Sequence, residues 1–389
     1  MPFDAWQGFV AKMKSHDIFK SWHDGASDAT GKKSSPLELL SLGALRYLGR
    51  KCTFDDLEEC TFISERTHER FFHKFIEYGS TVMYNDYVVA PQTSIEADVH
   101  MQEFRDAGFD GGLASMDATH VTIENCRYGI RQSHLGFKLN KTARSYNIIV
   151  NHRRRILSST SGHPSTWNDK TLVLFDQFLD NVKSGKVLAD KEFTLLEKME
   201  DGTIIRVTYR GVWILVDNGY HEWSITIPPF KYVGERKELR WSQWMESMRK
   251  DVECTFGILK KRWSILSKGI HAKSIGDADK VWKTCCALHN MLLEVDGRDE
   301  MWQHGVSAND STTDCFAIDR LQNPDNEEVR MITTTAAFDY SNFPLSNEVR
   351  DVRSLTFEEM RGKLVDHFDI RFQKGGIVWP RRVKRPRSV

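Results

Sequence analysis

The chain has 389 residues, of which 40% are hydrophobic and 28% charged, and its 54 basic side chains balance its 54 acidic ones. That length suits two or three domains, or one domain with insertions, and the composition is that of a globular protein rather than a disordered or fibrous one. No run of about 18 apolar residues occurs, so no membrane span is expected, and the opening MPFDAWQGFVAKMK lacks the basic start and apolar run of a secretory signal. Seven scattered cysteines without a C-x-x-C pair suggest a reducing compartment and no structural zinc. Cys285, Cys286 and His289 resemble a metal set, but they sit in the helical run KTCCALHNMLL, where core packing is the expected role.

The balanced total hides segregation. From Asn125 through Asn168 there is no Asp or Glu, and the span carries Arg127, Arg131, Lys138, Lys141, Arg144 and the run Arg153, Arg154, Arg155. After Asp369 the chain is again acid-free and ends in PRRVKRPRSV, while acids gather around Asp299–Asp351. Such patterning suits a polyanion partner on some surfaces only.

In chain order, residues 1–34 form a short amphipathic stretch and a polar loop. Ser35-Pro36 opens a helix with Leu37, Leu40, Ala44 and Leu48 on one side, ending at Gly49. Thr53 caps a second helix and Ser64 a third, through Phe71, Phe72, Phe75 and Ile76. Residues 35–100 therefore read as a helical, helix-turn-helix-like region, either a DNA reader or plain helical packing. Residues 101–296 change character. LASM and then SYNIIV and RRILSS read as strands, the latter two joined by a basic turn; Trp167–Val182 has helical spacing; Val207–Val216 reads as one strand; Lys183–Arg210 reads largely as a loop excursion. Helices follow at Trp241–Trp263 and Ile275–Val295, which together suggest a mixed sheet flanked by helices. Residues 297–350 read as an acidic flexible insertion, and 351–389 as a helix capped by Thr356 and a basic tail. The tail reads as a nuclear-import signal or DNA-contacting arm, against a merely solubilising role.

Two apolar runs end in aspartates, LASM in Asp117 and WILV in Asp217, and a third acid, Glu253, lies on the long helix. On that helix Met245, Met248, Val252, Phe256, Leu259 and Trp263 form an apolar face, and Arg249, Glu253, Gly257 and Lys260 another. Strand-end aspartates and one helical glutamate can converge. Clustered carboxylates repel one another, and magnesium or manganese, which prefer oxygen ligands, relieve that. Two such ions can activate a water and stabilise the leaving oxygen in phosphodiester cleavage. Asp169 and Asp176 compete with Asp217 for the second place, but they lie in or before a helix rather than at a strand end.

Five stretches carry a resemblance: SMDATH (Ser115–His120), STWNDKTLVLFD (Ser165–Asp176), GVWILVDNGYHEW (Gly211–Trp223), SMRKDVECTFGILKKRWSIL (Ser247–Leu266) and CCALHNMLLE (Cys285–Glu294). Each is weak alone, but together and in this order they resemble the nuclease of PIF/Harbinger-type transposases, a branch of the DDE superfamily. The resemblance implies an RNase H-like α/β fold and two Mg2+ or Mn2+ ions. Its catalytic and metal-binding triad falls on Asp117, Asp217 and Glu253. It further implies cleavage at transposon ends and joining of the 3′-hydroxyl to target DNA. Double-stranded DNA is then the partner, with a separate Myb-like DNA-binding protein; a homo-oligomer and nuclear localisation are also expected. Arg153, Arg154, Arg155, Arg249, Lys250, Lys260 and Lys261 are expected to contact the DNA backbone. His120 is either a supporting contact to the acids or phosphate, or a strand histidine satisfied by its own hydrogen bonds. The family usually has Gly after the second aspartate and Arg-Ala after the glutamate, where this chain has Asn218 and Cys254-Thr255. The alternative is a domesticated descendant that binds DNA or protein and cuts nothing.

Overall fold

Helices occupy the N-terminal part of the chain in a computed structural model. It describes residues 2–23, 25–27, 31, 33–124, 126, 128–136, 141–272, 274–296, 302–303, 338–379 and 381–382. Helix α1 (Phe3–Lys14) precedes α2 (Leu37–Arg50), α3 (Phe54–Thr61) and α4 (Glu65–Tyr78). Thr53 and Asp56 exchange side chain-to-backbone bonds of 2.7 and 3.0 Å, a capping box that starts α3. Helix α2 runs past Gly49, and its stop is Lys51, in the left-handed conformation at φ +53°. Ser64 precedes α4 without capping its backbone. Helix α5 (Ser94–Asp106) then leads into the sheet.

The central sheet contains β1 (Gly112–Glu124), β2 (Lys141–Val150) and β3 (Ile156–Ser159) as an antiparallel meander. After α6 (Asp169–Val173) and α7 (Gln177–Lys183) come β4 (Glu192–Lys198), β5 (Ile204–Arg210), β6 (Trp213–Leu215) and β7 (Thr226–Ile227). Strand β6 pairs parallel to β1, and β7 parallel to β6, so the order is β3-β2-β1-β6-β7. Helices α8 (Arg236–Arg262) and α9 (Ile275–Val295) follow, then β8 (Leu345–Asp351) and α10 (Phe357–Gln373). A mixed sheet of this order, flanked by helices, is the expected RNase H-like α/β architecture, with the helical region in front of it.

Four segments depart from the expectation. The span Val207–Val216 is two strands in two sheets, because Gly211 turns the chain at φ +110°, which favours glycine. Trp167–Val182 is two short helices: the first ends at Val173, and Asp176 caps the second by accepting the Leu179 N–H at 3.0 Å. The excursion around Lys183–Arg210 contains the β4–β5 hairpin. The acidic insertion ends earlier than expected: β8 adds in parallel to β5, completing a three-stranded sheet in the order β8-β5-β4. Residues 297–301 and 304–337 of that insertion, and 380 and 383–389 of the basic tail, lie outside the described residues.

Two apolar cores flank the sheet. One joins α5, the start of β1, the β4–β5 hairpin, β6 and α10. The other joins α1 to α4, β2, β3 and α9, so the N-terminal helices share a core with the sheet. Cys285, Cys286 and His289 are fully buried in or beside this second core, and the His289 ring nitrogen Nε2 bonds the Arg154 carbonyl oxygen at 2.9 Å. Helix α8 belongs to both. Trp241, Trp244, Met245 and Met248 enter the first core, and Val252, Phe256, Leu259 and Trp263 the second. Arg249 and Glu253 stand near the changeover.

Candidate active site

Burial explains where the two aspartates stand. Leu113–Met116 and Trp213–Val216 are covered on both faces, the usual state of strands in the middle of a sheet carrying helices. Each run ends in a half-exposed acid at the point where the cover ends. Ser115 is in register with Leu215 on the parallel pair β1–β6; Asp117 lies two residues further along β1, and Asp217 two residues on, just past the end of β6. Neighbouring strands are about 4.8 Å apart.

The turn after β6 is pinned from several directions. The Gly219 N–H donates to Asp217 Oδ1 at 2.8 Å. The buried Tyr220 hydroxyl donates to Asn147 Oδ1 on β2 at 2.7 Å, and Asn147 Nδ2 donates to Asp176 Oδ2 at 3.0 Å. Tyr220→Phe leaves the buried Asn147 oxygen without that donor, so a stability loss of about 1–3 kcal/mol is expected. Denaturant unfolding measures it; an unchanged midpoint would remove Tyr220 from the support of this turn.

A third acid belongs to this neighbourhood. Asp169 is the first residue of α6, whose start is capped by Asn168 Oδ1 accepting the Thr171 N–H at 2.9 Å. A Cβ placed on Gly219 would lie 2.9 Å from Asp169 Oδ2 and 2.9 Å from Asp217 Oδ1. Glycine at 219 is what lets those two carboxylates approach the same point. Sequence reading weighed Asp169 against Asp217 for the second place and ranked it lower, because it lies in or before a helix rather than at a strand end.

Helix α8 closes the other side. Arg249 Nη2 is 3.8 Å from Asp117 Oδ2, its side chain is nine-tenths buried, and its Nε has no hydrogen-bond partner among the described residues. Lys260 Nζ donates to Thr119 Oγ1 at 2.7 Å and to the His120 carbonyl oxygen at 3.1 Å. Glu253 lies between these two on the same helical stripe, four residues after Arg249, and is exposed. A side chain added at Gly257, one turn further on, would meet nothing within 4 Å, so the stripe borders open space there.

The electrostatics match this layout. Burial is the main reason the Asp117 carboxyl is pushed up to about 6; the Ala118 N–H and Arg249 pull it down, and Asp217 and Asp169 push it further up. A raised acid binds its proton more tightly in the folded than in the unfolded chain. Its contribution to stability is therefore greatest below about pH 4 and is lost as pH rises to about 6. In chelator, Asp117→Asn is expected to be more stable than wild type at pH 7–8, by on the order of 2 kcal/mol, and equal to it near pH 4. A pH series of denaturant midpoints tests this; a constant difference across the series contradicts it.

The basic residues expected at DNA divide into two groups. Arg153 is bound to buried Glu103 at 2.5 Å, Arg154 to buried Asp251 at 3.0 Å, and Arg155 to Glu294 at 2.7 Å. These three tie the β2–β3 turn to α5, α8 and α9. Lys260 is held by β1, and Arg249 faces Asp117, whereas Lys261 is exposed and Lys250 half-buried. His120 is in register with Ser145, and its ring nitrogen Nδ1 is 2.8 Å from the Ser145 hydroxyl. Strand alternation sends it to the face opposite Asp117 and Thr119.

Residues 116–290 match the family model of the DDE superfamily endonucleases. The match covers a little under half of the chain and includes Asp117, Asp169, Asp217 and Glu253. No curated protein and no solved structure matches. The likeness supports a transposase-like nuclease as the general class, with DNA as the substrate and divalent metal as the usual cofactor of DDE enzymes. In this DDE-like segment the donor chemistry fits such an ion: partly exposed, oxygen-only carboxylates, with Asp117 bearing repulsion from two others. Among the described residues no three His, Cys, Asp or Glu side chains stand close enough to hold a metal together. The fit is thus one of donor type.

Proposed function

We propose that this chain is a PIF/Harbinger-type DDE transposase. It hydrolyses a phosphodiester at transposon ends and joins the freed 3′-hydroxyl to target DNA. The observation that carries the reading is that Asp117 on β1 and Asp217 just past the end of β6 each stand two residues beyond the in-register pair Ser115–Leu215, within the segment that matches the DDE endonuclease model. Asp117, Asp217 and Glu253 would hold two Mg2+ or Mn2+ ions, which supply Lewis acidity and an activated water.

The protein's own groups do the rest. The two partly exposed aspartates fix the reacting phosphate's position relative to the sheet. Glu253, exposed on the open side of α8, would complete the acidic set. Arg249 offers its unpartnered Nε to a phosphate oxygen, a charge-assisted bond to a developing negative charge. Lys250 and Lys261 receive the DNA backbone, and Arg153, Arg154 and Arg155 act mainly by fixing the turn they occupy. A Myb-like protein reading the terminal sequence, a homo-oligomer that pairs two ends, and nuclear import through the basic tail complete the reading.

The test is incubation of the protein with element-end duplex DNA and Mg2+ or Mn2+. Metal-dependent nicks at the ends, abolished by chelator, are expected. Binding of that DNA without nicking under either metal overturns the nuclease reading in favour of a domesticated binding protein.

A further inference from the structure

Gly219 has an ordinary backbone conformation that alanine adopts without strain, so torsion does not explain the glycine; space does. Its missing Cβ is the point to which oxygens of Asp169 and Asp217 both come within 2.9 Å. The two acids arrive from different elements, one from the first turn of α6 and one from the end of β6. Each is independently anchored in place: α6 by the Asn168 cap, and Asp217 by the Gly219 N–H. Two carboxylate oxygens brought to one spot are the hard oxygen donors that a divalent cation prefers. A separate observation, at Asp117 beside this pair, points to an incoming ligand. The Arg249 side chain, nine-tenths buried, is aimed at Asp117 and leaves its Nε without a partner among the described residues. A buried guanidinium N–H left unsatisfied is costly, and an incoming anionic oxygen satisfies it.

We propose that Asp169 and Asp217 form a carboxylate clamp for a divalent, oxygen-seeking cation, which makes Asp169 a metal ligand in addition to the three acids of the expected triad. The inference rests on the nuclease reading above and deepens it. The clamp accounts for the glycine at 219, for the cap that orients α6, and for the pinned turn at Tyr220, all of which serve to hold two acids together.

The experiment is Mn2+ titration of the full chain, with free Mn2+ read by electron paramagnetic resonance. Asp169→Asn is expected to weaken Mn2+ binding by about tenfold or more. Gly219→Ala removes no ligand but drives a methyl between the carboxylates, and a comparable loss of about tenfold is expected from it. Asp180→Asn, an exposed acid on α7, controls for loss of charge and is expected to change binding by less than about twofold. If Asp169→Asn misfolds, as judged by its unfolding transition, Gly219→Ala decides. Mn2+ binding as tight as wild type in both Asp169→Asn and Gly219→Ala, with loss in Asp217→Asn, overturns the clamp and leaves the nuclease reading standing. A wild-type protein that binds no Mn2+ overturns both.

Discussion

Asp217→Asn is expected to slow metal-dependent nicking of element-end DNA by about a thousandfold or more, and Asp117→Asn by a similar factor. Each change keeps size and most hydrogen bonding while deleting one negative charge. The Asp217 side chain bonds a backbone N–H in the turn it starts, and an asparagine oxygen accepts that bond equally well. The loss is therefore in charge at the reacting centre rather than in the fold. Glu253→Gln is the more informative third case. Its side chain is exposed, one turn from Arg249, so substitution leaves folding intact. A fall in nicking of the same order places Glu253 with the aspartates during the reaction. Equal nicking by Glu253→Gln and wild type removes it from the chemistry. Single-turnover assays at saturating Mg2+ separate a slower chemical step from weaker metal binding, because only the latter recovers as Mg2+ is raised.

The second large effect lies away from the acids. Asp110, two residues before β1, is buried and receives bonds from Arg371 Nη1 at 2.6 Å, His367 Nε2 at 2.8 Å and the Tyr340 hydroxyl at 2.7 Å. Burial alone raises the Asp110 carboxyl, but Arg371, His367 and Tyr340 outweigh it and hold the acid well below the usual carboxylate range. His367 Nδ1 accepts the Leu196 N–H at 2.8 Å, so the ring donates to Asp110 through Nε2. This network fastens α10 to the entry of β1 and to β4. Arg371→Met strands a buried carboxylate and also frees the Arg105 and Gly376 carbonyl oxygens, so a loss of about 3–5 kcal/mol is expected. Asp110→Asn combined with Arg371→Met is expected to recover part of that loss, since the stranded charge is gone. Chemical denaturation of the two variants measures both effects; a loss under about 1 kcal/mol for Arg371→Met contradicts the assignment.

Much of this arrangement was legible in the amino-acid order. The apolar runs before Asp117 and Asp217 are strands buried on both faces, and the three-and-four spacing of Met245 through Trp263 is the buried face of α8. Thr53 and Thr356 cap the helices they were expected to cap. What was hidden depends on contacts distant in the chain. Glycine 211 reads as one more residue of a strand until its torsion is known. Strand β8 has an exposed, polar pattern that local reading takes for a flexible segment, and its strand character comes from pairing with β5. Asp169 and Gly219 are 50 positions apart, and only the packing of α6 against the turn after β6 brings them together. The arginine run reads as a polyanion site because its acidic partners, Glu103, Asp251 and Glu294, come from three other elements.

Helix α8 is rooted in both apolar cores, which bears on how the molecule comes apart. Neither core can be dissolved while the helix stays intact, since each supplies half of its buried face. The two halves of the molecule are thus coupled into a single cooperative unit, in which local opening near Arg249 and Glu253 requires loosening on both sides. A helix held in that way resists bending at the point where Arg249 meets Asp117. Rigidity at the proposed site is then a by-product of how the chain shares one long helix between two hydrophobic interiors.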